Sequence, residues 1–186
     1  YPFGYGLSYT EFAYSALEVD EKGVQLTVTN VGERDGAEVV QLYVGFPDSV
    51  VFRPQKELKG FQKVFLKAGE SKRVHIPFDD KTFRYWNVKT GQWEIEEGEY
   101  LLMVGASVSD IRLSGKLWVA GTTKEIPYEK KKLPSYYSGR ISNVGAEEFE
   151  VLLGHPVPDG KWKCELGIND AICQMYYAKS RLARLV

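Results

Sequence analysis

Asp79-Asp80 and Glu96-Glu97 each set two carboxyl groups side by side. A carboxylate pair is what hydrolysis of a glycoside uses, one group as acid and the other as nucleophile or base, held ~5 to 10 Å apart across a sugar-sized cleft. Neighbours in extended chain point to opposite sides, so neither pair can face one substrate together. Flanked by Lys81 and by Gly98, both read as turn residues at strand ends. Gly6-Leu7-Ser8-Tyr9 is not a G-x-S-x-G elbow and no strand-then-helix pattern surrounds it, which makes Ser8 structural. In Arg73-Val74-His75-Ile76 the valine and isoleucine take the core face, leaving His75 at the surface or an interface, and His155 lies between Gly154 and Pro156 with no acidic or thiol neighbour. Gly4 and Gly6 lack the Lys-Ser/Thr pair and following helix of a phosphate loop.

Two histidines, and two cysteines (Cys164 and Cys173) set apart rather than in a CxxC pair, do not supply zinc-ligand spacing, so no metal and no cofactor is expected. So few cysteines fit free thiols in a reducing compartment and favour the cytoplasm over secretion. Twenty-four basic against 25 acidic residues, a formal net charge of −1, do not make a surface for nucleic acid. No apolar run approaches the ~18 residues that cross a bilayer, so no membrane partner is expected either. The remaining chemical lead is aromatic: 13% of the chain, with Tyr85, Trp86 and Trp93 near one turn and Trp118 further on. Exposed rings stack on sugars, whereas bulky aromatics on sandwich strands more often fill a core or cover its edge.

The elements that would position these residues are strands. With 44% hydrophobic residues the chain folds, and its 186 residues fit one domain plus a remainder. Val24 to Asn30 alternates apolar and polar, placing Val24, Leu26 and Val28 on one face. Val39 to Phe46 carries Val40, Leu42 and Val44 in phase, and Glu11–Val19, Glu57–Leu66, Ser71–Phe78, Tyr100–Val104 and Ile111–Val119 bring the count to about seven strands. Glu21-Lys22-Gly23, Gly32 to Gly36, Ala68-Gly69-Glu70, Thr90-Gly91 and Glu97-Gly98 are turns too short for parallel crossovers. The spacing predicts an all-β, immunoglobulin- or fibronectin-type antiparallel sandwich over residues 1–122.

Residues 123–145 read as a linker or extended arm; its Lys130-Lys131-Lys132, flanked by Glu125 and Glu129, is a solvated basic run. Residues 146–186 read as a helical tail. Ala146 to Leu153 places Phe149, Leu152 and Leu153 on one face and stops at Gly154 and Pro156. A second helix from Asn169 or Asp170 would stripe Ala171, Ile172, Met175, Leu182 and Leu185, with Lys179, Arg181 and Arg184 toward its C-terminus. That stripe needs cover, either from this sandwich or from a domain outside the chain. The chain starts at Tyr1, not Met, and reads as a piece cut from a longer one.

Several blocks in order carry a family resemblance: Tyr1-Pro2-Phe3-Gly4-Tyr5-Gly6-Leu7-Ser8-Tyr9-Thr10, Val28 to Gly32, Gly36 to Val44, Arg53-Pro54, Lys56 to Phe61, and Gly98-Glu99-Tyr100 with Val104 to Ser107. The series resembles the fibronectin type III-like domain at the C-terminal side of glycoside hydrolase family 3 β-glucosidases. Glu147 to Pro158 is similar to a segment that follows this domain in members from some anaerobic Gram-positive bacteria, which implies a bacterial source. At Tyr85-Trp86-Asn87 the chain departs from the family pattern, which has an acidic residue in place of Asn87. The resemblance implies a non-catalytic role. The family's nucleophile and acid/base belong to a (β/α) barrel and an α/β sandwich that this chain lacks, so no catalytic residue carries over.

What the resemblance implies instead is an accessory domain that packs against the parent's catalytic domains, which hydrolyse terminal β-glucosides. Phe3, Tyr5, Leu7, Tyr9, Arg53 and Pro54 are then the interdomain candidates. The residues themselves agree, since four large apolar side chains ahead of the first strand need a surface to cover them. Two alternatives stand beside it: a carbohydrate-binding module stacking sugar on Tyr85, Trp86, Trp93 or Trp118, and a free-standing scaffold or adhesion domain.

Overall fold

Val24, Leu26 and Val28 are wholly buried, and so are Val40, Leu42 and Val44, because each set is the inward-facing half of an alternating strand. The computed structural model describes residues 1–158 together with Ala171 and Cys173. The chain divides into two compact units, Tyr1–Val144 and Gly145–Val186.

In the first unit β1 (Phe12–Asp20), β2 (Gly23–Asn30) and β5 (Ser71–Pro77) form one sheet in the order β1-β2-β5. β3 (Gly36–Gly45), β4 (Glu57–Leu66), β8 (Gly98–Ser107) and β9 (Asp110–Val119) form the other, in the order β4-β3-β8-β9. Every pairing is antiparallel, so the all-β sandwich read from the alternation is the fold, with seven strands in its two sheets. Phe12, Val24, Leu26, Val28, Val74 and Ile76 face Val40, Leu42, Val44, Leu66, Leu102 and Val104 across the core. Burial of each such side chain contributes about 1.5–3 kcal/mol. A separate two-stranded ribbon, β6 (Tyr85–Asn87) and β7 (Gln92–Glu94), has strands too short for alternation to reveal.

Asn30 ends β2 in a fully buried corner. Its Nδ2 donates to Arg34 O at 2.7 Å and Leu66 O at 3.2 Å, while Oδ1 accepts from Gly32 N at 3.1 Å and Thr10 Oγ1 at 2.7 Å. One amide thus ties the β2–β3 turn to the end of β4 and to the segment entering β1.

Residues 122–138 run along the sandwich as an ordered strap. Thr122 N and Thr123 N donate to Ile95 O at 2.8 and 3.1 Å, Tyr128 Oη accepts from Phe52 N at 2.9 Å, and Leu133 is fully buried. The strap closes with the short helix α1 (Pro134–Ser138), which begins on a proline and is capped by Gly139 in the left-handed region at φ 72°. In the second unit, helix α2 (Ala146–Leu153) follows the predicted boundaries. Glu147 and Glu148 sit in its first turn, where the dipole favours anions, and left-handed Gly154 stops it. The helix expected from Asn169 or Asp170 lies outside the described residues, as does Cys164. Cys173 has a free thiol.

Candidate functional site

An antiparallel sheet with one face on the core ordinarily shows polar side chains on the other. The four-stranded sheet does not. On its outer face β4 presents Phe61 and Phe65, 65% and 56% exposed, with Leu58 beside them, and β9 presents exposed Trp118. Tyr43, Gln41 and Met103 also point outward in register yet are buried. Gln41 and Tyr43 are buried because the first residues of the chain lie over them, and Met103 because it lies against Gly45 and the β3–β4 loop. Val108 N donates to Phe3 O at 3.0 Å, and Gln41 Nε2 donates to Gly4 O at 2.9 Å and to Ala106 O at 2.6 Å.

The laid-over segment makes a turn, closed by Tyr5 N donating to Pro2 O at 3.2 Å, with Gly4 in the left-handed region at φ 78°. Tyr1 and Tyr5 stack with centroids 5.3 Å apart. The four apolar residues singled out here, Phe3, Tyr5, Leu7 and Tyr9, all remain exposed, Leu7 and Tyr9 at about nine-tenths. Between this segment and the sheet lies a cleft of about 890 Å³ whose walls include Phe3, Leu7, Leu58, Phe61, Glu38 and Arg112. Glu38 is half-buried there, and burial raises its carboxyl above the ordinary 4.5; the Val39 N–H and the Arg112 guanidinium act in the other direction, and Asp110 adds to the rise.

Arg53 and Pro54, in the β3–β4 loop, are not alike. Pro54 is exposed, whereas the Arg53 side chain is only 8% exposed and is held between Glu57 at 2.9 Å and Glu96 at 3.6 Å. Glu96 is not the turn residue its sequence neighbourhood suggests. It is buried, accepting from Ser49 Oγ at 2.6 Å and Val50 N at 2.9 Å, so it pins the loop from the far side of the chain. Burial alone would raise the Glu57 carboxyl, but hydrogen bonds and charge from Lys59 and Arg53 hold it below its ordinary value. Arg53 therefore shapes the loop that carries Pro54. Asp79 does behave as a turn residue, accepting from Lys81 N at 2.9 Å and Thr82 Oγ1 at 3.0 Å.

The β6–β7 ribbon separates the three aromatic candidates. Tyr85 is buried, its hydroxyl 3.0 Å from Thr123 Oγ1, and offers no ring face to a sugar. Trp86 and Trp93 are exposed across from one another, but they meet edge to face at 72°, and the Arg84 guanidinium sits 4.4 Å from the Trp93 ring centre. Such a pair lacks the flat platform on which a pyranose stacks. Beneath them Asn87 is fully buried, donating from Nδ2 to Glu94 Oε2 and Glu125 O, both at 2.8 Å, and accepting from Lys89 N at 3.0 Å. An acidic side chain at 87 would set a carboxylate against the buried carboxylate of Glu94, which accounts for the amide where the family pattern has an acid.

Sandwich topology and the ordered segment on its outer sheet define a fibronectin type III-like domain, and residues 38–108 match the family model for the fibronectin type III-like domain. The chain belongs with the domains of this kind carried by glycoside hydrolase family 3 β-glucosidases. It is 46% identical over 132 residues to thermostable β-glucosidase B of Acetivibrio thermocellus, a match covering 67% of this chain and 18% of that protein. It is also 46% identical over 131 residues to an exo-α-(1→6)-L-arabinopyranosidase of Bifidobacterium breve, covering 68% of this chain and 17% of that one. The crystal structure of the Bifidobacterium adolescentis GH3 β-glucosidase superposes with a TM-score of 0.63 at 42% identity, over 70% of this chain and 20% of that chain. The chain thus spans less than a fifth of the length of these curated relatives, whose matching stretches are parts of much longer chains.

Proposed function

We propose that this chain is a non-catalytic accessory domain that braces the catalytic domains of a glycoside hydrolase acting on terminal β-glucosides. The observation that carries this reading is the apolar outer face, on which Phe61 and Phe65 lie exposed in a row with Leu58 beside exposed Phe3 and Leu7. A sandwich standing alone has no use for such a face, whereas a docked one buries it. Tyr5, Tyr9 and Pro54 extend the contact at its margin, and Arg53 holds Pro54 in place from behind. In this reading residues 1–122 are the bracing sandwich, 123–145 an arm that straps back onto it, and 146–186 a tail. The carboxylates Asp79, Glu94 and Glu96 are each engaged by structural hydrogen bonds, which fits bracing better than acid/base work.

The test is direct. The isolated chain should leave an aryl β-glucoside uncleaved while binding a hydrophobic dye, and Phe61→Ser with Phe65→Ser should abolish most dye binding without changing the far-UV circular dichroism. Hydrolysis that disappears on one carboxylate substitution would overturn the proposal.

A further inference from the structure

Two of the sequence blocks that carry the family resemblance, Phe3-Gly4-Tyr5 and Val40-Gln41-Leu42-Tyr43, meet at one place in the fold. Tyr43 Oη donates to Gln41 Oε1 at 2.6 Å, which fixes the amide so that Nε2 presents its two hydrogens to Gly4 O and Ala106 O. Gln41 and Tyr43 are 5% and 1% exposed, on a sheet face where polar groups could have stayed in water. Burying an amide and a phenol without partners would be costly; Gln41 and Ala106 satisfy all but one of these donors, and the last amide hydrogen is satisfied because Gly4 O of the N-terminal turn is in place. Gly4 is the other half of the fit. A Cβ there would collide with Gln41 Oε1 and stand 2.8 Å from Tyr43 Oη, and φ 78° is unfavourable for any side chain.

Nothing in this arrangement is needed by the sandwich core, whose side chains lie on the opposite face of β3. What the arrangement does is hold a turn with Phe3, Tyr5 and Leu7 outward beside the Leu58, Phe61 and Phe65 row.

Resting on the bracing function proposed above, we infer that Gln41 and Tyr43 are a clamp that registers the Pro2–Tyr5 turn, and that the turn and the β4 row form one composite docking surface for the remainder of a β-glucosidase-type chain. The relatives point to that occupant: over four-fifths of each lies outside the stretch that matches this chain. A preformed turn presents its aromatic residues without the ordering cost that a free N-terminal segment would incur on docking. Gln41 acts through the turn and is a positioning residue.

Hydrogen exchange on the isolated chain reads the clamp without any docking partner. Gln41→Leu should speed exchange of the Val108 and Tyr5 amides by roughly tenfold or more while β2 amides keep their protection. Gly4→Ala, which leaves every sandwich residue unchanged, should do the same and guards against a Gln41 variant that fails to fold. Unchanged protection of Val108 in folded Gly4→Ala overturns the clamp.

The docking half is read in thermostable β-glucosidase B with its matching stretch exchanged for this chain, by the temperature at which hydrolysis of an aryl glucoside is lost. Both Gly4→Ala and Phe61→Ser should lower that temperature. A drop with Phe61→Ser alone refutes the composite surface and leaves the bracing function standing; no drop with either refutes both.

Discussion

Replacing Asn87 by aspartate should invert the pH response of the domain. In the native protein burial by itself raises the Glu94 carboxyl, but donation from Thr90, Asn87, Tyr85 and Thr123 more than offsets it and holds the group below its ordinary 4.5. A carboxylate whose folded value is depressed stabilises the fold above its unfolded value, and that contribution is lost as pH falls through the folded one. Asn87→Asp removes the Nδ2 that reaches Glu94 Oε2 and Glu125 O, both at 2.8 Å, so the buried Glu94 carboxylate loses one of its donors and the part-buried Glu125 carbonyl loses its bond to the ribbon. At about 1–3 kcal/mol for losing these charge-assisted and part-buried bonds, the loss at neutral pH is a sizeable share of the ~5–15 kcal/mol that holds a domain folded. The two carboxylates would also take up a shared proton, so their folded values rise, and the stability they contribute is then present below the unfolded value and lost as pH climbs.

Urea unfolding followed by the fluorescence of Trp86 and Trp93, at neutral pH and again near the ordinary carboxylate value, measures this. The variant should gain stability relative to wild type on acidification. Adding Glu94→Gln, whose amide can donate to the new aspartate, should recover at least half the loss and flatten the pH dependence. A neutral-pH loss under about 1 kcal/mol, the net worth of a single ordinary hydrogen bond, or a double variant no better than Asn87→Asp, would refute the account of this site.

Leu133→Ala should cost about 2–5 kcal/mol in the same urea assay, because the side chain is fully buried and its loss leaves a cavity under the strap; an unchanged midpoint would mean the strap contributes nothing to the sandwich. Glu38→Gln should stabilise the chain at neutral pH and remove a stability decline that begins above the ordinary carboxylate value, since a raised folded value gives up stability as pH rises through it; thermal melts across that window decide it. Titration calorimetry with a soluble β-glucan should show no saturable heat, given the perpendicular Trp86 and Trp93 rings and the arginine on one of them; heat abolished by Trp93→Ala would establish a sugar site instead.

Strand positions and inward faces were legible in the sequence because alternation is a local property: Val24, Leu26 and Val28, or Val74 and Ile76 around exposed His75, need only their own strand to be read. The boundaries of α2 were legible for the same reason, through Gly154 and the Phe149, Leu152 and Leu153 spacing. What stayed hidden depends on partners far along the chain. Glu96 looks like a turn carboxylate until Ser49 and Arg53 arrive from the β3–β4 loop. Tyr85 looks available until Thr123 covers it, and Gln41 and Tyr43 look solvent-facing until residues 3 and 4 lie over them. Of the candidate site, the apolar N-terminal residues were readable from composition. The β4 row was not, because Phe61 and Phe65 sit in a segment whose alternation alone does not say which side meets solvent.

The strap has a consequence for the order in which the domain can be completed. The β6–β7 ribbon encloses Tyr85, Asn87 and Glu94, yet the partners that finish this cluster, Thr123 and the Glu125 carbonyl, lie some thirty residues downstream, beyond both long strands of the β8–β9 hairpin. On a ribosome, where the chain emerges from its N-terminus at ~5–20 residues per second, the ribbon must wait several seconds with its polar groups on water. A break or stop after residue 119 would leave all nine strands of the described residues present but the ribbon permanently unfinished.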